Sequence, residues 1–208
     1  MTTPRVTFFY APHTRAGGTL ALLEELGADY DLHLLSLKAG TQRAPEYLAV
    51  NPMGKVPAIL HDGALVAEQP AVFIYLADLY PEQGLAPPVG DPLRGPYLRW
   101  LVFYGSCFEP AIVDRAMKRD PAPPSTSPYG SWEQVYETLV AQLSNGPWLL
   151  GERFTAADVL WGTALNWTTA FQLVPEYPAI RGYIDRVLAR PAMQRALAKD
   201  AAYAGQQG

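Results

Sequence analysis

The spacing of apolar positions changes character partway along the chain, and that change divides it in two. RVTFFY (Arg5 to Tyr10) is a short β-branched and aromatic run that reads as a buried strand, ended by Ala11-Pro12. From Thr14 the period becomes helical. Ala16, Leu20 and Leu23 share one stripe, Leu22 and Leu26 another, and Gly27 stands where a C-terminal cap is expected. Tyr30 to Leu37 reads as a second strand and Pro45 to Val50 as a short helical turn. Val56 to Leu60 and Leu65-Val66 are joined by His61-Asp62-Gly63, a hairpin turn signature. Pro70 suits the first turn of a helix that carries Val72, Tyr75, Leu76 and Leu79 at i, i+3, i+4, i+7 spacing. The predicted order is β-α-β-α-β-β-α.

Beyond this point strand signals vanish. LYPEQGLAPPVGDP (Leu79 to Pro92) is rich in proline and glycine and reads as a linker. Leu98, Leu101, Val102, Gly105, Phe108 and Ile112 mark a long helix with a kink expected at Pro110. Asp120 to Gly130 is a Pro/Ser loop, expected to be mobile. Further helices are predicted over Trp132–Leu143, Ala156–Phe171, Tyr177–Leu188 and from Pro191, with fraying over the last seven residues. Thr155 and Asp158 form a capping-box pattern, and Phe154 is placed to staple against Val159. The fold class is therefore α+β: a first domain over 1–80, a linker over 81–91 and an all-helical domain over 92–208.

Composition narrows the function classes. Among 208 residues 49% are hydrophobic and 17% charged, which suits a packed globular chain. The formal net charge of −4, with no basic stretch, argues against a nucleic-acid partner. Cys107 is the single cysteine, so no intrachain disulfide can form. The N-terminus has no signal-peptide core, and no apolar run is long enough for a bilayer. A cytoplasmic protein is expected. No His/Cys/Asp cluster has metal-ligand spacing, so no metal is expected.

Two stretches carry chemistry. In Asn51-Pro52-Met53-Gly54-Lys55-Val56-Pro57, proline enters a strand although it cannot donate to the ladder. Either it simply initiates the strand, or Val56-Pro57 is cis and leaves the Val56 backbone free to pair with an extended ligand. Glu68-Gln69-Pro70 sits at a helix start, where free N–H groups bind anions and Glu68 can meet a ligand ammonium or merely complement the dipole. Together they suggest a small anionic peptide ligand, bound at the junction of the two domains.

NPMGKVPAIL followed by EQPAVFIYLADLYP resembles the glutathione site of the glutathione S-transferase family. LLEELG in the first helix and FTAADVLWG in the helical domain resemble the same family, so the likeness spans nearly the whole chain. It implies a thioredoxin-like N-terminal domain, an all-α C-terminal domain, a homodimer, and glutathione as substrate without a metal. Carried over by position, Val56 pairs with the cysteinyl backbone of glutathione, with Lys55 and Pro57 in the same turn. Glu68 and Gln69 hold the γ-glutamyl end, and Lys38 meets the glycyl carboxylate. Gln69 departs from the family pattern, which has Ser or Thr there.

The resemblance also implies a hydroxyl or thiol just after the first strand that stabilises the glutathione thiolate. A free thiol titrates near ~8.5, and lowering that by two units takes ~2.7 kcal/mol. The local text is Tyr10-Ala11-Pro12-His13-Thr14-Arg15-Ala16. Arg15 stands where a bacterial subfamily has cysteine, so a mixed disulfide with the protein is not expected. Thr14 is the first candidate donor, its competing role being to cap the helix. Tyr10 and Arg15 are the other candidates, Tyr10 with core packing as the alternative, and His13 would donate only when suitably protonated. Tyr104, Phe108 and Trp167 are candidates to wall a pocket for an apolar electrophile, or else core. Cys107 reads as a small apolar helix residue more readily than as a nucleophile. The expected activity is conjugation of glutathione to a hydrophobic electrophile. The alternatives are a glutathione-dependent peroxidase or isomerase, or a non-catalytic binding or regulatory protein on this fold.

Overall fold

The structure, a computed structural model, describes residues 5–120, 122, 123 and 125–206. Pro121 and Pro124 of the expected mobile loop, and Gln207 and Gly208 of the expected frayed end, lie outside the described residues. The chain forms two compact units. One comprises residues 5–84 together with 190–206, and the other is Leu85–Ala189.

The first unit is built on a four-stranded sheet in the order β2-β1-β3-β4. Strand β1 (Arg5–Tyr10) and β3 (Ala58–His61) are the inner strands. Val6, Phe8, Phe9, Tyr10, Ala58 and Ile59 are all buried, as expected for strands covered on both faces. The edge strand β2 (Asp29–Leu34) alternates exposed and half-buried positions instead. It runs parallel to β1, so a crossover must join them, and helix α1 (Ala16–Leu26) supplies it. Strand β2 stops at Leu34, three residues short of the expected end. The Leu35 N–H closes on the Tyr10 carbonyl at 2.7 Å, and Ser36 N–H then turns to Thr41 Oγ1 at 2.8 Å.

β3 and β4 (Ala64–Ala67) form the expected hairpin. Asp62 and Gly63 have φ of 50° and 80°, the doubly left-handed pair that a two-residue turn matched to strand twist requires. Short helix α2 (Pro45–Val50) precedes β3, and α3 (Gln69–Leu79) follows β4. Helix α1 ends on Gly27 in the left-handed conformation, with Ala28 N–H reaching Leu23 O at 3.0 Å.

Leu20, Ala21, Leu22, Leu23 and Leu26 are all buried, and together they point around most of the α1 circumference. A helix that is apolar nearly all round needs neighbours on several sides. They are α3 and the last helix, α9 (Pro191–Gly205). Glu25 of α1 accepts two bonds from Arg190, and Glu24 pairs with Arg195 and Lys199.

The second unit is helical: α4 (Arg94–Phe103), α5 (Glu109–Ala116), α6 (Trp132–Leu143), α7 (Ala156–Ala170) and α8 (Pro178–Leu188). A π-helical turn, Tyr104–Phe108, joins α4 to α5. Pro110 follows it in the first turn of α5, where its missing N–H is least costly, so the expected kink is absorbed as a wide turn ahead of the proline. Trp161 sits among Trp100, Tyr104 and Phe108, with ring centroids 4.9 to 5.8 Å away, and its Nε1–H donates to Trp100 O. The capping box at Thr155 forms, and Asp158 does more than cap. Its carboxylate accepts from Leu149 N–H, Thr155 N–H and the Tyr183 hydroxyl within 2.9 Å. Burial raises the Asp158 carboxyl above its usual range despite these bonds. Among the described residues no helix is long and apolar enough to cross a membrane.

Candidate functional site

The turn ahead of β3 is fixed from inside. Asn51 Nδ2 and the Tyr47 hydroxyl both donate to Lys55 O, and Met53 N–H donates to Asn51 Oδ1. Gly54 has φ 58°, and a Cβ there would lie 2.7 Å from Gln42 O, so no other residue fits without displacement. The Val56–Pro57 peptide is cis. Pairing between β3 and β4 begins only at Ala58↔Ala67, leaving the Val56 backbone outside the ladder. Pro57 is buried and Lys55 exposed.

At the start of α3, Glu68 is exposed and holds φ 64°, which is uncommon for a residue with a side chain. Gln69 follows as the first helical residue. Its Nε2–H donates to Arg15 O at 2.9 Å. That bond joins the α3 N-terminus to the β1–α1 loop, bringing Thr14, Arg15, Glu68 and Gln69 into one locus 54 residues apart in sequence. Lys38 is exposed in the segment after β2.

Within the loop, the Thr14 hydroxyl donates to Ala11 O at 2.7 Å and accepts from Ala16 N–H at 3.2 Å. It thus satisfies the first helical N–H of α1, although the cap position itself falls on Arg15, which makes no side-chain cap bond. Tyr10 lies in the core and its hydroxyl donates to Asp200 of α9. Burial, reinforced by the Asp200 carboxylate, pushes that hydroxyl far above its ordinary value. Tyr10 thus stays protonated, with its proton directed at Asp200. His13 also faces Asp200, its N–H at 3.2 Å and its Nδ1 at 3.0 Å.

Asp200 is the residue that sequence reasoning missed. One acidic residue in an alanine-rich terminal helix carries no motif, and its partners lie up to 190 positions away. In the helical unit, Tyr104 and Phe108 are core residues packed on Trp161. Trp167 is half-buried beside Phe171, which is 73% exposed. A cavity of about 490 Å³ in this unit is lined by Leu93, Pro96, Arg99, Trp100, Gln142 and Leu149, and none of the three expected aromatic residues borders it. Cys107 is half-buried in the π-helical turn, 3.5 Å from Ser106 Oγ. No cluster of three or more potential metal ligands occurs among the described residues.

A sheet of this order, with a turn and a helix start converging beside its first strand and a helical unit following, defines the class. The glutathione S-transferase N-terminal domain family matches residues 4–78, and its C-terminal domain family matches residues 131–191. The chain belongs to the glutathione S-transferase family. It is 30% identical to the glutathione S-transferase GstA of Escherichia coli O157:H7, over 92% of this chain and 97% of that one. It is 29% identical to the disulfide-bond oxidoreductase YfcG of Escherichia coli K12, over 93% and 95%. A solved sphingomonad glutathione S-transferase complexed with glutathione superposes with a TM-score of 0.74 at 30% identity, covering 94% of this chain and 98% of that one.

Proposed function

We propose that this chain is a glutathione transferase joining the glutathione thiolate to a hydrophobic electrophile. The observation that carries the reading is the Gln69–Arg15 bond, which brings together the two helix starts expected to hold the thiol and the γ-glutamyl end. The glutathione-bound relative supports it. In this reading Val56 pairs through its backbone with the cysteinyl residue, flanked by Lys55 and Pro57, and Lys38 meets the glycyl carboxylate. Glu68 takes the γ-glutamyl ammonium. Gln69 has committed its amide to Arg15, so it serves the γ-glutamyl carboxylate through its backbone N–H, one of the unpaired donors of a helix start.

Thr14 stabilises the thiolate by exchanging its acceptor. A neutral bond such as that to Ala11 O contributes ~0.5–1.5 kcal/mol net, whereas one to an anion contributes ~1.5–3 kcal/mol, so a nearby thiolate wins the hydrogen bond while the proton stays on Thr14. The α1 N-terminus and Arg15 add favourable charge. Tyr10 takes no part in donation, its proton being held by Asp200. Of the aromatic residues expected to receive the electrophile, Tyr104 and Phe108 are core and Trp167 is half-buried, so Trp167 is assigned that role. The reading includes a cytoplasmic homodimer.

A second reading, glutathione-dependent disulfide reduction, is favoured by the relative named as a disulfide-bond oxidoreductase. Calorimetric titration with glutathione tests binding under either reading. Initial rates with an activated aryl halide and with a small disulfide then separate them. Conjugation is expected to be the faster, and turnover of the disulfide alone would overturn the transferase assignment.

A further inference from the structure

The loop between β1 and α1 is held at its His13 end by a residue from the far end of the chain. Asp200 Oδ1 accepts from the Tyr10 hydroxyl and from His13 N–H, and Oδ2 meets His13 Nδ1. The Asp200 side chain is 19% exposed, so these bonds are only partly open to competition from water. His13 itself is 72% exposed, yet it adopts φ 56°. A histidine in the left-handed region costs free energy and persists only where its surroundings impose it. Packing does not impose it on an exposed side chain. The Asp200 carboxylate, bonded to both the backbone and the ring of His13, does. The next residue is Thr14. At its other end the loop is pinned by Gln69 through Arg15 O.

We propose that Asp200 is a positioning residue for the bound thiol. By holding His13 in the left-handed conformation, it sets the path of residues 11–15 and so aims the Thr14 hydroxyl at the sulfur. The assignment rests on the chain binding glutathione at this locus. Helix α9 thereby becomes part of the site without touching the ligand. Lys199, adjacent to Asp200, is fixed to Glu24 and fixes in turn the register at which Asp200 meets the loop. The ionisable groups facing Asp200 are Tyr10 and His13, with the Tyr203 ring 5.7 Å from that of Tyr10.

The measurement is the pKa of the bound glutathione thiol, followed by thiolate absorbance, alongside kcat and KM. Asp200→Ala is expected to raise that pKa by about one unit and to cut kcat about tenfold at neutral pH, with KM for glutathione within about twofold. Asp200→Asn keeps an acceptor oxygen and should stay near wild type. The decisive pair leaves α9 untouched. His13→Gly occupies the left-handed region freely and should keep the wild-type pKa, while His13→Ala should raise it as Asp200→Ala does. Glycine at position 13 should also restore most of the loss in Asp200→Ala. Equal pKa values for His13→Ala and His13→Gly would overturn the proposal, as would an Asp200→Ala effect that glycine does not relieve. Failure of the wild-type protein to bind glutathione in calorimetry would overturn the glutathione reading and this proposal with it. Normal binding with an unchanged thiol pKa in every variant would overturn this proposal alone.

Discussion

Arg190 grips Glu25 with two parallel hydrogen bonds, Nε to Oε1 at 2.6 Å and Nη2 to Oε2 at 2.7 Å. This bidentate geometry is the stronger form of an arginine–carboxylate pair. The Glu25 side chain is only 6% exposed, so its carboxylate oxygens have little water to replace that partner. Arg190 immediately precedes α9, and the pair fixes where that helix begins to lie along α1.

Arg190→Ala should therefore cost about 2–3 kcal/mol, below the full penalty for breaking a buried pair because Arg190 is partly exposed. Urea unfolding gives the magnitude. Hydrogen exchange should show protection lost first in α9. Uniform loss across the first unit would mean that α9 is not held separately by this contact.

Acid should loosen the same helix through Glu24. Burial acts to raise its carboxyl, but hydrogen bonds from Lys199 and Arg195 outweigh this and lower it below its ordinary 4.5. A carboxyl depressed in the folded state stabilises above its unfolded pKa and loses that contribution as pH falls through the folded value. Unfolding midpoints should thus fall below about pH 4.5, and Glu24→Gln should flatten that limb while being less stable than wild type at pH 7. An acid limb identical in the variant would exclude Glu24 as a contributor.

Asp158→Ala should destabilise the protein by roughly 3 kcal/mol, well beyond the ~1 kcal/mol of a lost cap. The substitution strands the Leu149 N–H, the Thr155 N–H and the Tyr183 hydroxyl away from water. Thermal and urea unfolding measure the loss. Glutathione affinity of the folded fraction should be unchanged, and a selective loss of affinity would make Asp158 a ligand-binding residue instead.

Thr14→Val should raise the bound thiol pKa by about one to two units, the equivalent of a ~1.5–3 kcal/mol bond to an anion. Tyr10→Phe should leave it close to wild type, since the Tyr10 proton already goes to Asp200. A shift in Tyr10→Phe with none in Thr14→Val would reverse the assignment.

Gly54→Ala should weaken glutathione binding more than any other single methyl added to the Asn51–Val56 turn. The new Cβ meets Gln42 O at 2.7 Å and the backbone is left-handed, which together cost on the order of 2 kcal/mol. Calorimetry on the folded variant checks this. Unchanged affinity would mean that the turn yields without moving Val56.

Local chemistry made much of this architecture readable in advance. The apolar run Arg5–Tyr10, the Asp62-Gly63 turn and the Thr155/Asp158 box each specify their structure through neighbours a few residues away, and all three form. The clustering of Glu68 and Gln69 beside the β1–α1 loop was legible only through the family resemblance, because a bond from Gln69 to Arg15 leaves no periodic trace. Less readable still were the features that depend on distant pairs. The π-helical turn reflects the competing demands of Pro110 and of aromatic packing on Trp161. Asp200 gains its partners only when α9 lies along α1.

The position of α9 also sets a timetable for synthesis. The sheet and its first three helices emerge from the ribosome early, but the helix that covers α1 comes after the whole helical unit. Between them lie the ~100 residues of the helical unit, which at about 5–20 residues per second delay the covering helix by roughly 5–20 s. During that interval the α1 leucines that α9 will shield face the cellular milieu. A nascent chain of this protein therefore presents a greasy, unfinished surface until α9 has emerged, and any chaperone that attends it has that window in which to act.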